Sequence, residues 1–379
     1  MLVLREANFN RHVATCHNVS MIRIQIRPVW RFNAGAEKDF DFQLISILAE
    51  LEASQKLTNA AESAGISYRH AWNVVSEWET FFGSPLVTKV KGRGTRLTPL
   101  GKRLLWAGQR AQARLAPELD NLAAEFADAL NESLTETAPS LVVHASHDFA
   151  MAGLRDMSAN SRAAIGLQYK GSFDALASLR RGECDIGGFH VPEGPLGALM
   201  RQRYAECLPA DGYRLIRFVT RAQGLIVRAG NPKHITHVAD LCNPEIRMVN
   251  RQRGSGTRAL LEFLISSHGL DRSRMQGYDN EEITHGAVAA LIAGNQADVG
   301  FGVEAAASQY RLDFLPLCRE RYLLACTAED FDSAPVRDLV ETLKGPEFRA
   351  MVSSLAGYDA SDAGEPFEAL VPATAHPAS

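Results

Sequence analysis

Residues 57–101 constrain the chain most. Ala60, Ala61 and Ala64 precede Gly65, and Ile66-Ser67 leads into an amphipathic run that ends at Phe82-Gly83. Small side chains on either side of a glycine turn let two helices cross closely at a sharp angle. The spacing predicts a short helix from about Thr58 to Ala64, a turn at Gly65, and a longer helix capped by Ser67 and stopped by Gly83. Ile66, Ala71, Val74 and Val75 then face inward, and Tyr68, Arg69, His70 and Asn73 project outward. A strand–turn–strand follows, with strands at 86–90 and 95–97 around Lys91-Gly92-Arg93-Gly94. Thr98 as N-cap and Pro99 at the first helical position open a long helix that runs to about Leu134. Upstream, 22–31 alternates as an edge strand and Phe40 to Ala53 has helical spacing.

Two helices at a glycine turn followed by a basic hairpin form a winged helix-turn-helix, whose partner is double-stranded DNA. The net charge of −4 argues against a nucleic-acid binder, but its distribution does not. From Gly83 to Arg114 there are eight Lys or Arg and no Asp or Glu. Tyr68, Arg69, His70 and Asn73 are the candidates for base readout. Ser67, Lys91, Arg93 and Arg96 are the candidates for phosphate contacts, which position rather than specify. In the long helix Leu115, Leu119, Leu122, Phe126 and Leu130 recur at steps of 4, 3, 4 and 4. This near-heptad seam suits a homodimer through residues 98–134, which leaves a tetramer open.

Gly65-Ile66-Ser67-Tyr68-Arg69-His70-Ala71-Trp72, with the wing and Leu97-Thr98-Pro99-Leu100-Gly101, resembles the winged helix of ModE-type molybdate-responsive regulators. It is also similar to LysR-type regulators, whose wing ends in a Leu-Thr-x-x-Gly sequence. The resemblance covers about residues 21–130. It implies DNA binding as a dimer paired through the helix after the wing.

Beyond residue 140 short β runs alternate with helices, which means an α/β sheet domain. Ala145-Ser146-His147-Asp148, Gly171-Ser172, the 182–190 run ending at His190, Asn250 to Arg258, Thr284-His285 and 297–302 resemble the two-lobed periplasmic-binding-protein-like domain found behind such winged helices and in some molybdopterin biosynthesis proteins. In such domains a ligand lies in a cleft facing helix N-termini. Gly254, Ser255, Gly256 and Thr257 follow a strand and open a helix, which favours an anion. Arg251, Arg253 and Arg258 flank them as bidentate anion grips. Ser146, His147 and Asp148 after the first strand, with Gly171 and Ser172 before a helix, repeat the arrangement from the other lobe. His190 and His285 complete the candidate ligand set, although histidines at such positions also serve as core residues. Arg258 has an alternative as an i,i+4 partner of Glu262, and Asp148 has one as a helix cap.

The chain is therefore read as α/β overall. An arm spans 1–20, a winged helix 21–97, a dimerisation helix 98–134, a two-lobed sensing domain 141–360 and a tail 361–379. The resemblance implies molybdate or tungstate as effector. The arginines favour a phosphate-bearing ligand, and the molybdenum cofactor satisfies both. No covalently bound cofactor is expected. No CxxC pair, metal-ligand cluster, nucleophile–base pair or nucleotide-binding loop with a lysine is recognisable, so a binding protein is expected rather than an enzyme. No apolar run reaches the roughly 20 residues of a membrane span. No secretory leader is recognisable, so the expected compartment is the cytoplasm. A molybdopterin-pathway protein that uses the winged helix for partner docking is the alternative.

Overall fold

The computed structural model describes residues 24–33, 37–40, 42–90, 94–134, 141–158, 165–209, 212–368 and 370. The expected arm at 1–20, the wing residues Lys91 and Arg93, the 135–140 link and the last nine residues lie outside them.

The N-terminal unit starts with a hairpin of β1 (Trp30–Asn33) and β2 (Glu37–Phe40). The strand expected over 22–31 is thus mostly unpaired, because 24–29 have no regular structure and pairing begins only at Trp30. Aromatic packing fixes this hairpin. Phe32 lies edge-on to Trp78 at 5.6 Å, and Phe40 to Trp78 at 5.0 Å. Helices α1 (Gln43–Ser54), α2 (Leu57–Ser63) and α3 (Tyr68–Phe82) follow, then the hairpin β3 (Val87–Val90) and β4 (Gly94–Leu97). Their shared core takes Leu44, Leu48 and Leu51 from α1, Ala60 and Ala61 from α2, and Ala71, Val75 and Trp78 from α3.

Helix α4 (Pro99–Leu134) carries the chain onward. Thr98 caps it, accepting from the Gly101 N–H at 3.1 Å and donating to the Pro85 carbonyl at 2.7 Å. The first turns stay on the N-terminal unit, with Leu105 in its core. From Trp106 onward α4 also packs on the C-terminal domain, so the helix expected to pair two copies is part of that domain's wall.

The C-terminal domain unrolls as β5 (Leu141–Ala145), α5 (Phe149–Ser158), β6 (Ile165–Tyr169), α6 (Ser172–Arg180), β7 (Ile186–Pro192), α7 (Pro195–Cys207), β8 (Tyr213–Val227), β9 (Met248–Arg251), α8 (Gly256–Ser267), β10 (Glu281–Glu282), α9 (His285–Ala293), β11 (Val299–Val303), α10 (Glu304–Gln309), β12 (Asp313–Thr327), α11 (Ala334–Lys344), α12 (Pro346–Ser353), β13 (Tyr358–Asp359) and β14 (Pro366–Phe367). Strand order along the sheet is β10-β9-β11-β8-β12-β7-β5-β6. The long antiparallel strands β8 and β12 run through both lobes. Their near halves pair with β7, β13 and β14, and the far half of β8 pairs with β11. Side chains alternate across the sheet, as strand geometry requires. Ile216, Phe218, Tyr322 and Leu324 enter one core, and Leu215, Leu225, Leu323 and Ala325 the other. Helices therefore cover both faces. The tail expected from 361 begins later, because β14 pairs with β8 and Arg217 bonds Asp362 at 2.6 Å.

The seat of α4 on the wing is testable. A Cβ on Gly101 would overlap the Leu86 carbonyl oxygen. Gly101→Ala should destabilise the N-terminal unit by about 1–3 kcal/mol, as overpacking does. Urea unfolding followed by tryptophan fluorescence reads this, and an unchanged midpoint would refute the close packing.

Candidate functional site

The first candidate surface is the exposed side of α3. Gly65, at φ +64°, makes the turn that only glycine accepts without strain. Ser67 accepts from the His70 N–H at 3.2 Å and starts the helix. Ala71, Val75 and Trp78 are buried, which leaves Tyr68, Arg69, His70 and Asn73 exposed on the opposite side. The wing is tied to the same helix, because Glu79 Oε1 accepts from the N–H groups of Leu86 and Val87 at 2.8 and 3.0 Å. Arg96 is exposed on β4, and Lys89 lies 4.5 Å over the Trp72 ring. The basic run does not all face this surface. Arg110 and Arg114 point into the C-terminal domain and pair with Glu282, a fully buried carboxylate. Sequence alone could not separate them from the wing cations, because their partner is far away in the chain.

The second candidate is a cavity of about 1450 Å³ between the lobes. Ser146 and His147 reach it from the end of β5, and Gly171 and Ser172 from the start of α6. Gly254, Ser255, Gly256 and Thr257 reach it from the start of α8, and His190, Arg251 and His285 from β7, β9 and α9. Both helix starts present N–H groups that no intrahelical carbonyl can accept. Ser255 caps α8 through the Arg258 N–H at 3.1 Å.

The three expected arginines are not equivalent. Arg258 is buried and ion-paired, with Glu262 at 2.8 Å, the carbonyls of Arg251 and Tyr278 at 3.3 Å, and the Tyr278 ring at 4.2 Å. Its Nε and Nη1 are committed to the wall of the cavity. Arg253 is 77% exposed at the rim and already paired with Asp279 and Glu281. Only Arg251 is both buried and unspent. Its Nη2 donates to the Ile283 carbonyl at 2.9 Å, its Nε to Gln252 at 3.3 Å, and its Nη1 has no hydrogen-bond partner. No ion pair with a carboxylate is found for it among the described residues. Burial, then the Arg221 charge, pushes its pKa down to about 9, so it is still a cation at neutral pH.

Asp148, expected as a ligand contact, is not on the cavity surface. Its Oδ1 caps α5 through the Ala150 N–H at 2.8 Å. Its Oδ2 bonds Arg221 and accepts from the Tyr358 hydroxyl at 2.7 Å. Arg221 is buried and also pairs with buried Glu320, which stands directly opposite in the β8–β12 register. Arg221 and Glu320 line the cavity and are absent from the expected site. Tyr169 was also missed. Its ring lies tilted against His147 at 4.9 Å, and its hydroxyl has no partner among the described residues.

Three histidines face this charge cluster. His190 stacks on Tyr322 at 3.8 Å and leaves Nε2 unpartnered, and His285 leaves Nδ1 unpartnered. Burial first, and then Arg221 and Arg251, push both well below the ordinary imidazole range. Burial lowers His147 too. The cavity thus brings together a buried cation without an ion pair among the described residues, two helix starts, neutral imidazoles and a tyrosine hydroxyl, a donor-rich floor suited to an anion. Among the described residues no group of three or more His, Cys, Asp or Glu could hold a metal, and no helix is long and apolar enough to cross a membrane.

Comparison with known proteins places residues 154–344 in a PBP superfamily domain. The uncharacterised protein YvgK of Bacillus subtilis (strain 168) is 32% identical over 198 residues, 52% of this chain and 64% of that protein. The chain thus spans somewhat under two thirds of that relative. An uncharacterised protein from the region 5′ of a 2Fe-2S ferredoxin gene of Clostridium pasteurianum is 34% identical over 107 residues, 28% of this chain and 95% of that protein. Among solved structures, a peroxide-bound OxyR mutant from Corynebacterium glutamicum matches with a TM-score of 0.40 and 14% identity, over 82% of this chain and 94% of that one.

Acidification tests the electrostatics. His147, His190 and His285 bind protons less readily folded than unfolded. Their contribution to stability is intact above the unfolded value near 6.5 and is lost as pH falls below it. The slope is at most about 1.4 kcal/mol per pH unit for each group. The urea midpoint should fall between pH 7 and pH 5, and a flat midpoint would show that these rings titrate normally.

Proposed function

The chain belongs to the PBP superfamily, and we propose that it is a cytoplasmic DNA-binding regulator whose cleft takes a small anionic effector. The observation that carries this reading is Arg251, buried at the cleft floor, with a bare Nη1 and no carboxylate partner among the described residues. A buried guanidinium without a counter-charge is costly, and a bound anion relieves that cost through charge-assisted hydrogen bonds. On the same chain, Tyr68, Arg69, His70 and Asn73 form an exposed polar edge on a helix that follows a glycine turn, beside a basic hairpin. The protein binds and responds rather than catalyses. It pairs with a second copy through the exposed Leu115, Leu122 and Phe126 of α4.

Size narrows the effector. Pockets for drug-sized ligands run from about 300 to 1,000 Å³, and a tetrahedral oxyanion would fill a small part of this cavity. A phosphate-bearing organic molecule fits the space and the buried Arg251 better than molybdate or tungstate alone. The molybdenum cofactor is the member of that class to which the winged-helix resemblance points.

Calorimetric titration with inorganic phosphate, molybdate, tungstate and a simple phosphate monoester ranks these chemistries. Arg251→Ala should weaken the best of them by about 10- to 100-fold, the worth of a charge-assisted bond. Arg253→Ala should change it by less than about threefold, as an exposed, already paired residue would. Equal losses in the two variants would move the anion to the rim.

The DNA reading has its own test. A duplex selected from a random pool should bind the parent protein tightly by fluorescence anisotropy. The Arg69→Ala, His70→Ala double variant should retain only salt-sensitive, sequence-independent binding. Retained sequence preference would place the readout elsewhere.

A further inference from the structure

Helix α4 crosses from one lobe to the other. On the far lobe Arg110 and Arg114 pair with buried Glu282, Arg110 Nε donating at 2.8 Å. Ala113 lies against Gly286 of α9, where a Cβ would come within 3.3 Å of its own. On the near lobe Asn121 makes a reciprocal pair with Tyr169 at the end of β6. Its Nδ2 donates to the Tyr169 carbonyl at 3.1 Å, and its Oδ1 accepts from the Tyr169 N–H at 2.7 Å. Asp120 adds a bond from Arg155 of α5 at 3.0 Å. Between these two sets of anchors Pro117 and Glu118 line the cavity.

Pro117 removes a rung from the helix. A proline has no N–H, so the Ala113 carbonyl four residues back has no helical donor. The Thr284 hydroxyl supplies one from the far lobe at 2.9 Å, while accepting from the Ala287 N–H at 3.0 Å as the N-cap of α9. The weakest point of α4 therefore lies over the cleft and is completed by the residue next to His285. The first turns of the same helix are seated on the helix-turn-helix unit, where Gly108 lets Ile45 pack against the backbone.

We propose that α4 is a strap over the cleft, fastened to both lobes and articulated at Pro117, and that lobe separation reaches the helix-turn-helix through it. This rests on the reading that the cleft takes an effector, but its mechanics do not need one. A ligand that draws the lobes together must shift the Asn121 anchor relative to the Arg110 and Ala113 anchors, and the missing rung is where α4 yields. Tyr169 and the Thr284-His285 step each join an anchor to the cavity floor, so contact there needs no further relay.

Amide hydrogen exchange on the full-length chain tests this without any anion. Asn121→Ala touches only the near lobe. The strap requires it to speed exchange at Thr284 to Ala287 on the far lobe by about fivefold or more, the worth of one lost hydrogen bond. Faster exchange confined to 119–122 and 167–170 would overturn the strap. Pro117→Ala, which restores the donor and favours the helix, is the second variant. It should slow exchange both in 114–121 and at Thr284 to Ala287, and slowing confined to α4 would equally overturn the proposal. Failure of the anion reading is recorded separately, as no calorimetric response of the parent protein to inorganic phosphate or to a phosphate monoester.

Discussion

The pairing of β8 with β12 is the constraint on which the C-terminal domain depends. Each strand is 15 residues long, and together they run through both lobes. Their register sets Glu320 opposite Arg221, so the floor of the cleft is a cross-strand ion pair. Asp148 reaches that pair from the start of α5 and Tyr358 from β13. One buried guanidinium therefore gathers three chain segments, and the strand pairing supplies the geometry that offsets its desolvation.

Arg251 stands beside this satisfied cation and is not satisfied. Two buried guanidiniums at one cleft floor repel, and the carboxylates of Asp148 and Glu320 are already committed to Arg221. The neutral state of His190 and His285 follows from the same crowding. The positive field here is a consequence of how local acids are allotted, not of how many arginines the segment contains.

That distinction explains what could be read from the sequence. The helix-turn-helix was legible because its determinants are local: Gly65 for the turn, Ser67 for the cap, and a helical period that buries Ala71, Val75 and Trp78. The Gly254 to Thr257 helix start was legible for the same reason, whereas His190 and His285 came only with the resemblance to the two-lobed domain. Arg221 and Glu320 were not, because they lie 99 residues apart on strands whose full length only pairing reveals. Arg253 and Arg258 look like Arg251 in sequence; the Glu262 partner of Arg258 was legible at i+4, but Tyr278, Asp279 and Glu281 come from 20 or more residues downstream. The strand expected over 22–31 had the alternation of a strand, but its only partner in the hairpin is the four-residue β2.

The position of Trp106 bears on how the molecule comes apart. Its side chain packs against both the N-terminal core and one face of the C-terminal sheet. Gly294, just past the end of α9, lets it sit close, since a Cβ there would lie 3.1 Å from the Trp106 Cβ. The covalent link between the two units is at 135–140, but their physical boundary falls inside α4, some thirty residues earlier. A fragment cut at the covalent link would strip α9 of its cover and leave small, apolar α9 facing water. The two units thus share a foldon, and the shortest autonomous sensing fragment would have to begin before Trp106.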